Sequence, residues 1–339
     1  MSPLEQTAPA SIADQPVRSP AMSISIIIPA LNEERMIGRC LESLANLGFA
    51  RERFEVLVVD NGSRDKTLAI AESFKDRLNL RVLQKTGVRI SALRNMGAHA
   101  ALGDIVAFLD ADCLAPGDWL DRILELTPAD GAGVMGAHYL LPEDSSWVGR
   151  TWHLYQEAPK AGEVSHVPAG DLIMRREDFL RLGGFDETIQ TNEDYELCER
   201  ARTAGMKVRA FPQIGVVHLG TAQSLRVFFR KQAWHGTHVI KVFLRDMFRS
   251  HNRKAVFFAA YTFLCLAAVV AGLALVPAWH GAWLLPVAGA TALCLPPTAL
   301  SARQVTASRR WSDFFPLFAL YLTYGIARAK ALLSVKNFF

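Results

Sequence analysis

Between residues 25 and 109, short β-branched runs alternate with segments of helical periodicity, and this alternation limits the chain to a small set of folds. Ser25-Ile26-Ile27-Ile28-Pro29 reads as a buried strand closed by proline. Asn32 and Glu33-Glu34 then open a helix whose apolar positions Met36, Ile37, Cys40, Leu41, Leu44 and Leu47 share one face. Phe54 to Val59 forms a second strand ending at Asp60, and Asn61-Gly62-Ser63 forms a turn. A helix follows from Lys66 to Arg77, a strand from Leu80 to Gln84, a helix from Arg89 to Leu102 and a strand from Asp104 to Leu109. Strand and helix at this spacing predict a mainly parallel sheet with helices on both faces. Such sheets bind ligands beyond the carboxyl ends of their strands. Asp60 and Asp110-Ala111-Asp112 fall at two of those ends.

The next segment is less regular. Strands are expected at Val134–Leu140, Val167–Met174, Lys207–Phe211 and Gly215–Leu219, with helices from Arg176 to Gly183-Gly184 and from Asn192 to Ala204. Ser224 to Arg249 reads as a basic amphipathic helix suited to a membrane interface, or to packing on a domain surface.

Hydropathy separates the remainder. The mean hydropathy of +0.15 is unusual for a soluble domain. Ala255 to Val276 and Ala282 to Leu300 are long, apolar and nearly free of charge, with Trp279 and Trp283 flanking the turn between them. Prolines 286, 296 and 297 are expected to interrupt the second run. Arg253 and Lys254 precede the pair and Arg303, Arg309 and Arg310 follow it, so both ends are expected in the cytoplasm. Phe314 to Ile326 fits a third span or an in-plane helix. The organisation expected is a disordered tail over 1–22, a catalytic domain over 23–222, a juxtamembrane helix over 223–254 and a membrane region over 255–339. Translation starting at Met22 is a further expectation.

A net charge of +4 does not point to nucleic acid. The 5 cysteines are scattered and odd in number, which argues against a disulfide framework or a zinc knuckle.

Carboxylates such as Asp110 and Asp112 at the end of an apolar strand are costly unless a cation or water serves them. Alternate residues of an extended segment would point the same way, and hard oxygen ligands suit Mg²⁺ or Mn²⁺ held together with substrate phosphates. A capping aspartate beside a solvated neighbour is the competing reading. Asp65 starts a helix, and an N-cap role accounts for it.

Taken in order, Ser25–Glu34, Val58-Val59-Asp60-Asn61-Gly62-Ser63-Arg64-Asp65, Arg94-Asn95-Met96-Gly97 and Phe108-Leu109-Asp110-Ala111-Asp112 resemble the inverting family 2 glycosyltransferases of the GT-A fold, a Rossmann-like α/β architecture. So do Ala169-Gly170-Asp171, Gly183-Gly184-Phe185-Asp186-Glu187 and Asn192-Glu193-Asp194-Tyr195. The resemblance runs from Ser25 to Leu219. It implies that Pro29, Asn32 and Glu33 line a nucleoside pocket. It further implies that Asp60 accepts from the base imide of a UDP-sugar, that Arg94 approaches base or phosphates, and that Asp110 contacts ribose or sugar. Asp112 would hold Mn²⁺ or Mg²⁺, with His218 as a second ligand. Asp194 would be the general base, in an acceptor region with Gly170, Asp171, Gly184, Phe185 and Glu193. The helix N-terminus is expected to favour its ionised form.

Lys231-Gln232-Ala233-Trp234 lacks the Gln-x-x-Arg-Trp pattern of processive polysaccharide synthases, which favours transfer of a single sugar. A lipid-linked acceptor and a bacterial-type plasma membrane with the catalytic domain cytoplasmic are the expected setting. The rival readings are a polyprenyl-phosphate sugar synthase, a non-catalytic scaffold of the same fold, and a nucleotidyltransferase. The acidic, glycine-free loop Ala30–Glu34 argues against the last.

Overall fold

The structure is a computed structural model that describes residues 24–127, 133–157, 161–189, 191–245, 253–276 and 280–333. The expected tail over 1–22 and Trp279 lie outside these residues.

The first part runs β1 (Ile24–Ala30), α1 (Ile37–Ala45), β2 (Phe54–Asp60), α2 (Thr67–Glu72), β3 (Leu80–Gln84), α3 (Ile90–Ala100) and β4 (Ile105–Leu109). Then come β5 (Cys113–Leu114), α4 (Trp119–Leu126), β6 (Gly133–Gly136), α5 (Trp147–Trp152), β7 (Gly162–Glu163), β8 (Asp171–Arg175), α6 (Arg176–Arg181), α7 (Glu193–Thr203), β9 (Lys207–Ala210) and β10 (Val217–His218). Four helices close the described chain: α8 (Leu225–Arg245), α9 (Arg253–Leu275), α10 (Leu284–Ser308) and α11 (Phe314–Leu333).

An 8-stranded sheet has the order β3-β2-β1-β4-β8-β6-β9-β7. β1 pairs in parallel with β2 and β4, and β2 with β3, while β8 enters antiparallel between β4 and β6. The unbroken β-branched runs follow from burial on both faces. Ile24, Ile26 and Ile28 pack with α1 and α4 through Ile37, Leu41, Leu44, Trp119 and Ile123. Ile27, Leu57, Val59, Val106 and Phe108 pack on the opposite face with Leu93, Phe179, Phe185 and Leu197. Gly97 lets α3 lie close to β1, because a Cβ there would collide with Ile27.

Several boundaries differ from the sequence reading. The first helix starts at Ile37 rather than Asn32. Asn32 adopts φ 57°, and the N–H groups of residues 32, 33 and 34 donate to Ser63, Thr67 and Asp65 of the next loop. The strand expected over Val134–Leu140 ends at Gly136, whose carbonyl accepts from Phe211 N, and only a bridge from Leu140 to Val217 continues it. The strand expected from Val167 begins at Asp171, after a turn closed by Asp171 N on Pro168 O. The prolines of the second apolar run do not interrupt it, since α10 runs unbroken through Pro296 and Pro297.

Helices over Arg253–Leu275 and Gly281–Ser308 are long and apolar enough to cross a membrane. Phe257, Leu264, Val270, Leu284, Val287 and Leu295 on them are exposed. α11 joins these helices to the α/β domain. Leu320 is buried with Val148 of α5 and Phe228 of α8, and Trp152 stacks on Tyr324 at 5.7 Å between ring centroids. Among the described residues every cysteine is free.

Candidate active site

The cleft lies where β1 and β4 part. Their pairing stops at Ile27 and Phe108, while β1 continues beside β2 to Ala30 and Asp60. Pro29 therefore lies beside β2 alone, where its missing N–H costs no bond to β4. It is buried in the strand. It precedes Ala30 at the carboxyl end of β1.

Asp110-Ala111-Asp112 is not extended. Cys113 N donates to Asp110 O at 3.0 Å, closing a turn that sends the two carboxylates to different partners. Asp110 accepts from Arg94 at 2.7 Å and from the Tyr139 hydroxyl at 3.0 Å. Asp112 lies 3.2 Å from His218 Nε2. The short antiparallel pair β5–β10 sets that contact by placing His218 opposite Cys113. Leu219 N adds a bond to Asp112 O at 2.8 Å. Tyr139 stacks on His218 with ring centroids 4.7 Å apart, so one tyrosine braces both halves of the turn. Two nearby glycines leave room for these side chains: a Cβ on Gly170 would displace Asp110 and Tyr139, and one on Gly220 would displace Asp112.

Arg94 links this turn to the opposite wall. It is buried on α3, with one nitrogen on Asp110 and another on Glu193 Oε1, each at 2.7 Å. Its guanidinium also lies 5.6 Å from the centroid of Phe185. Burial opposes its charge, but Asp110 and Glu193 more than offset this. Its charge is thus shared between two carboxylates.

Asp194 follows at the start of α7. Its carboxylate accepts from Ala169 N at 3.2 Å and from Tyr195 N at 2.7 Å. Burial pushes its pKa up, outweighing these bonds and the Arg94 charge. Glu193 is raised as well, by burial first, against the pull of Arg94 and with the push of Asp194. The expectation that the helix start favours the ionised form is overturned by desolvation.

Other expected site residues fall into two groups. Asn32 and Glu33 lie on the cleft rim, where Asn32 accepts from Arg64 N at 2.9 Å and ties the first loop to the second. The Glu33 carboxyl is raised to about 7 by burial and by the charges of Asp112, Asp110 and Asp65. Asp60, Asp171 and Phe185 are buried. Asp60 accepts from Gly62 N at 2.8 Å and Ser63 N at 3.0 Å, which makes it an organiser of that turn. Asp171 opens β8 inside the sheet, and burial drives its carboxyl far above the carboxylate range. Phe185 fills the core against Phe108 and Phe179. Gly184 adopts φ 71° so that the chain can meet Asn95, which accepts from Phe185 N and donates to Phe185 O, each at 2.9 Å. Asp65 accepts from Thr67 N at 3.0 Å and from Glu34 N at 3.1 Å, while the cap position of α2 is Lys66.

Sequence reasoning missed Tyr139 and Lys231. The Lys231 ammonium, on α8, donates to Gly220 O beside Asp112. Against the upward push of burial, the bond and charge of His218 and the charge of Lys231 hold Asp112 below the usual carboxylate range. Tyr139 sits beyond the end of β6 in no motif, and Lys231 lies in a segment read only for the pattern it lacks.

The donor set fits a hard divalent cation shared with a substrate. Among the described residues no cluster of three or more His, Cys, Asp or Glu forms a closed cage. Asp112 and His218 instead offer two adjacent donors, in a corner whose surplus negative charge is felt as far as Glu33. Mg²⁺ and Mn²⁺ sites that borrow substrate phosphates and water look like this.

Residues 25–183 match the profile of the family described as Glycosyl transferase family 2. Glycosyltransferase AglE of Haloferax volcanii is 28% identical over 229 residues, covering 66% of this chain and 75% of that protein. Validoxylamine A glucosyltransferase of Streptomyces hygroscopicus subsp. limoneus is 30% identical over 219 residues, covering 54% of this chain and 48% of that one. The chain thus spans three quarters of the first relative and about half of the second. Among solved structures, mannosyltransferase PcManGT from Pyrobaculum calidifontis, in complex with GDP-Man and Mn²⁺, aligns with a TM-score of 0.58 at 19% identity. That alignment covers 92% of this chain and 86% of that one. The likeness bears on the fold, which is the GT-A arrangement of a mixed, mostly parallel sheet with helices on both faces.

Proposed function

Because residues 25–183 match the profile of Glycosyl transferase family 2, we propose that the chain moves a single sugar, with inversion, from a nucleotide-sugar donor to an acceptor hydroxyl, assisted by Mg²⁺ or Mn²⁺. The observation that carries this reading is the Arg94 clamp. It ties the Asp110-Ala111-Asp112 turn to Glu193-Asp194, so donor-side carboxylates and a candidate base share one cleft. The solved relative that holds GDP-Man with Mn²⁺ supports the same class of donor and ion.

In this mechanism Asp194, oriented by Ala169 N and Tyr195 N, takes the proton of the acceptor hydroxyl. The oxygen forms a bond to the anomeric carbon as the bond to the nucleoside diphosphate breaks, and the electron pair leaves with the diphosphate. A pKa raised by burial makes Asp194 a stronger base once ionised. Asp112 and His218 would hold the cation, which supplies charge neutralisation for the departing diphosphate. Lys231 adds a positive charge at the same corner. No enzyme nucleophile is used, in contrast to a retaining glycosidase. Asp60, at the carboxyl end of β2, is the residue proposed to accept from the base imide, which favours a UDP-sugar donor.

The proposed organisation is a catalytic domain over 23–222, a juxtamembrane helix over 223–254 and a membrane region over 255–339. Basic residues at both ends of the α9–α10 hairpin favour a cytoplasmic catalytic domain on a plasma membrane. A lipid-linked acceptor suits that setting. Full-length protein incubated with a panel of nucleotide sugars, with Mn²⁺ or with EDTA, tests the reading through released nucleoside diphosphate. Metal-dependent release from one donor is expected, and equal release with EDTA would contradict it. Anomeric configuration of donor and product, read by NMR, tests inversion.

A further inference from the structure

Arg328 lies on α11, just past the apolar run Phe314–Ile326, and only 9% of its surface is exposed. Its stem threads the contact between α8 and α11. Gly236 makes the room: a Cβ there would fall 3.0 Å from Arg328 Cδ and 2.9 Å from Ala331 Cβ. The guanidinium lies over Tyr324, 4.8 Å from the ring centroid. Nη2 donates to Gln232 Oε1 at 3.0 Å. Nε and Nη1 are buried and, among the described residues, have no hydrogen-bond partner. A guanidinium carries five donors and does not shed its charge, so a neutral amide and a ring leave it under-served. A buried cation of this kind is costly until an anion pairs with it, and near a membrane it marks a functional site by default.

The surroundings indicate what kind of anion. A guanidinium fork matches two oxygens of a phosphate. On the same stretch of helix the Lys330 ammonium lies 5.5 Å from the Phe229 ring centroid, and Arg226 and Arg230 on α8 are exposed. These cations lie on α8 and α11, which pack against α9, and basic side chains beside membrane helices attract lipid phosphates.

We propose that Arg328, with Gln232 and Tyr324, forms a binding site for the phosphate group of a membrane lipid, wedged between α8 and α11. The proposal rests on reading α9 and α10 as membrane-spanning. It also links the lipid to the cleft, because Lys231, the neighbour of Gln232, holds the Gly220 carbonyl beside Asp112. A lipid-linked acceptor held there by its phosphate would be anchored at the helix that borders the metal corner.

The test uses delipidated full-length protein in detergent. Native mass spectrometry measures retention of polyprenyl monophosphate, of phosphatidylglycerol and of inorganic phosphate by wild type, Arg328→Met and Gln232→Leu. Wild type is expected to retain a lipid phosphate, Arg328→Met to bind it about tenfold or more weakly, and Gln232→Leu to lose less. Retention of polyprenyl monophosphate over phosphatidylglycerol would identify the acceptor as the source, and the reverse order a bulk headgroup. The proposal is overturned if Arg328→Met retains both lipids as wild type does, or if only inorganic phosphate depends on Arg328. Nucleoside diphosphate release is read in parallel. Its absence in wild type would count against the transferase reading and leave Arg328-dependent retention standing.

Discussion

Replacing Arg94 by glutamine removes a cation that is 3% exposed and leaves Asp110 and Glu193, with side chains 25% and 13% exposed, facing one another without it. Breaking a buried ion pair from one side typically costs about 3–5 kcal/mol. The carboxylates here keep some contact with solvent, so the lower end applies, about 3 kcal/mol. Set against a typical stability of about 5–15 kcal/mol, the fold survives. For a domain of this size Tm should fall by roughly 6–12 °C. The second readout is kinetic. The Arg94 charge lowers the pKa of both Glu193 and Asp194, against the larger upward push of burial. Without Arg94 both pKa values rise further, and a base must be deprotonated to act. The acid limb of kcat/KM should therefore move to higher pH, and part of the lost activity should return on raising the pH. Arg94→Lys, which keeps the charge but not the fork, should fall between the two. Differential scanning fluorimetry and pH–rate profiles measure these effects. An unchanged Tm together with an unmoved acid limb would refute the clamp.

Three further outcomes follow from the geometry. Gly170→Ala should displace Asp110 and Tyr139, costing about 1–3 kcal/mol in stability and raising the donor KM with the metal requirement intact. Gly220→Ala crowds Asp112 and lies 3.1 Å from the His218 ring, so the Mn²⁺ concentration for half-maximal activity should rise about tenfold. Glu33 has a folded pKa of about 7, above its ordinary 4.5. The folded protein therefore holds that proton more tightly, and metal-free stability should be lost as pH rises from 4.5 towards 7. The loss is about 1–2 kcal/mol after allowing for solvent screening of a half-buried side chain. Glu33→Gln should abolish that loss, as followed by thermal unfolding in EDTA at both pH values.

The parallel half of the sheet was legible because strands buried on both faces leave an unbroken β-branched record, as in Ile26-Ile27-Ile28 and Val56-Leu57-Val58-Val59. The half after Asp112 was read less well. Its strands are short, β8 runs antiparallel between two strands of the other direction, and β10 spans only Val217–His218. The candidate site shows the same division. Asp112 and Asp194 stand in local motifs, and His218 lies 3.2 Å from Asp112. What the sequence could not show was direction. Asp110 and Asp112 part because of one turn, Arg94 faces two carboxylates from separate segments, and Phe185 points into the core. Desolvation of Asp194 is likewise a property of the assembled cleft and not of the helix start that the sequence reveals.

The proposal of Asp194 as the base is tested most directly by Asp194→Asn, with sugar transfer and nucleoside diphosphate binding measured on the same preparation. The substitution keeps the shape and one of the two hydrogen bonds from Ala169 N and Tyr195 N, because only the amide oxygen accepts, and it removes the ability to take a proton. Transfer should drop by about 10²–10⁴-fold, the usual contribution of a general base, with metal-dependent nucleotide binding unchanged. Transfer at wild-type rate would contradict the account.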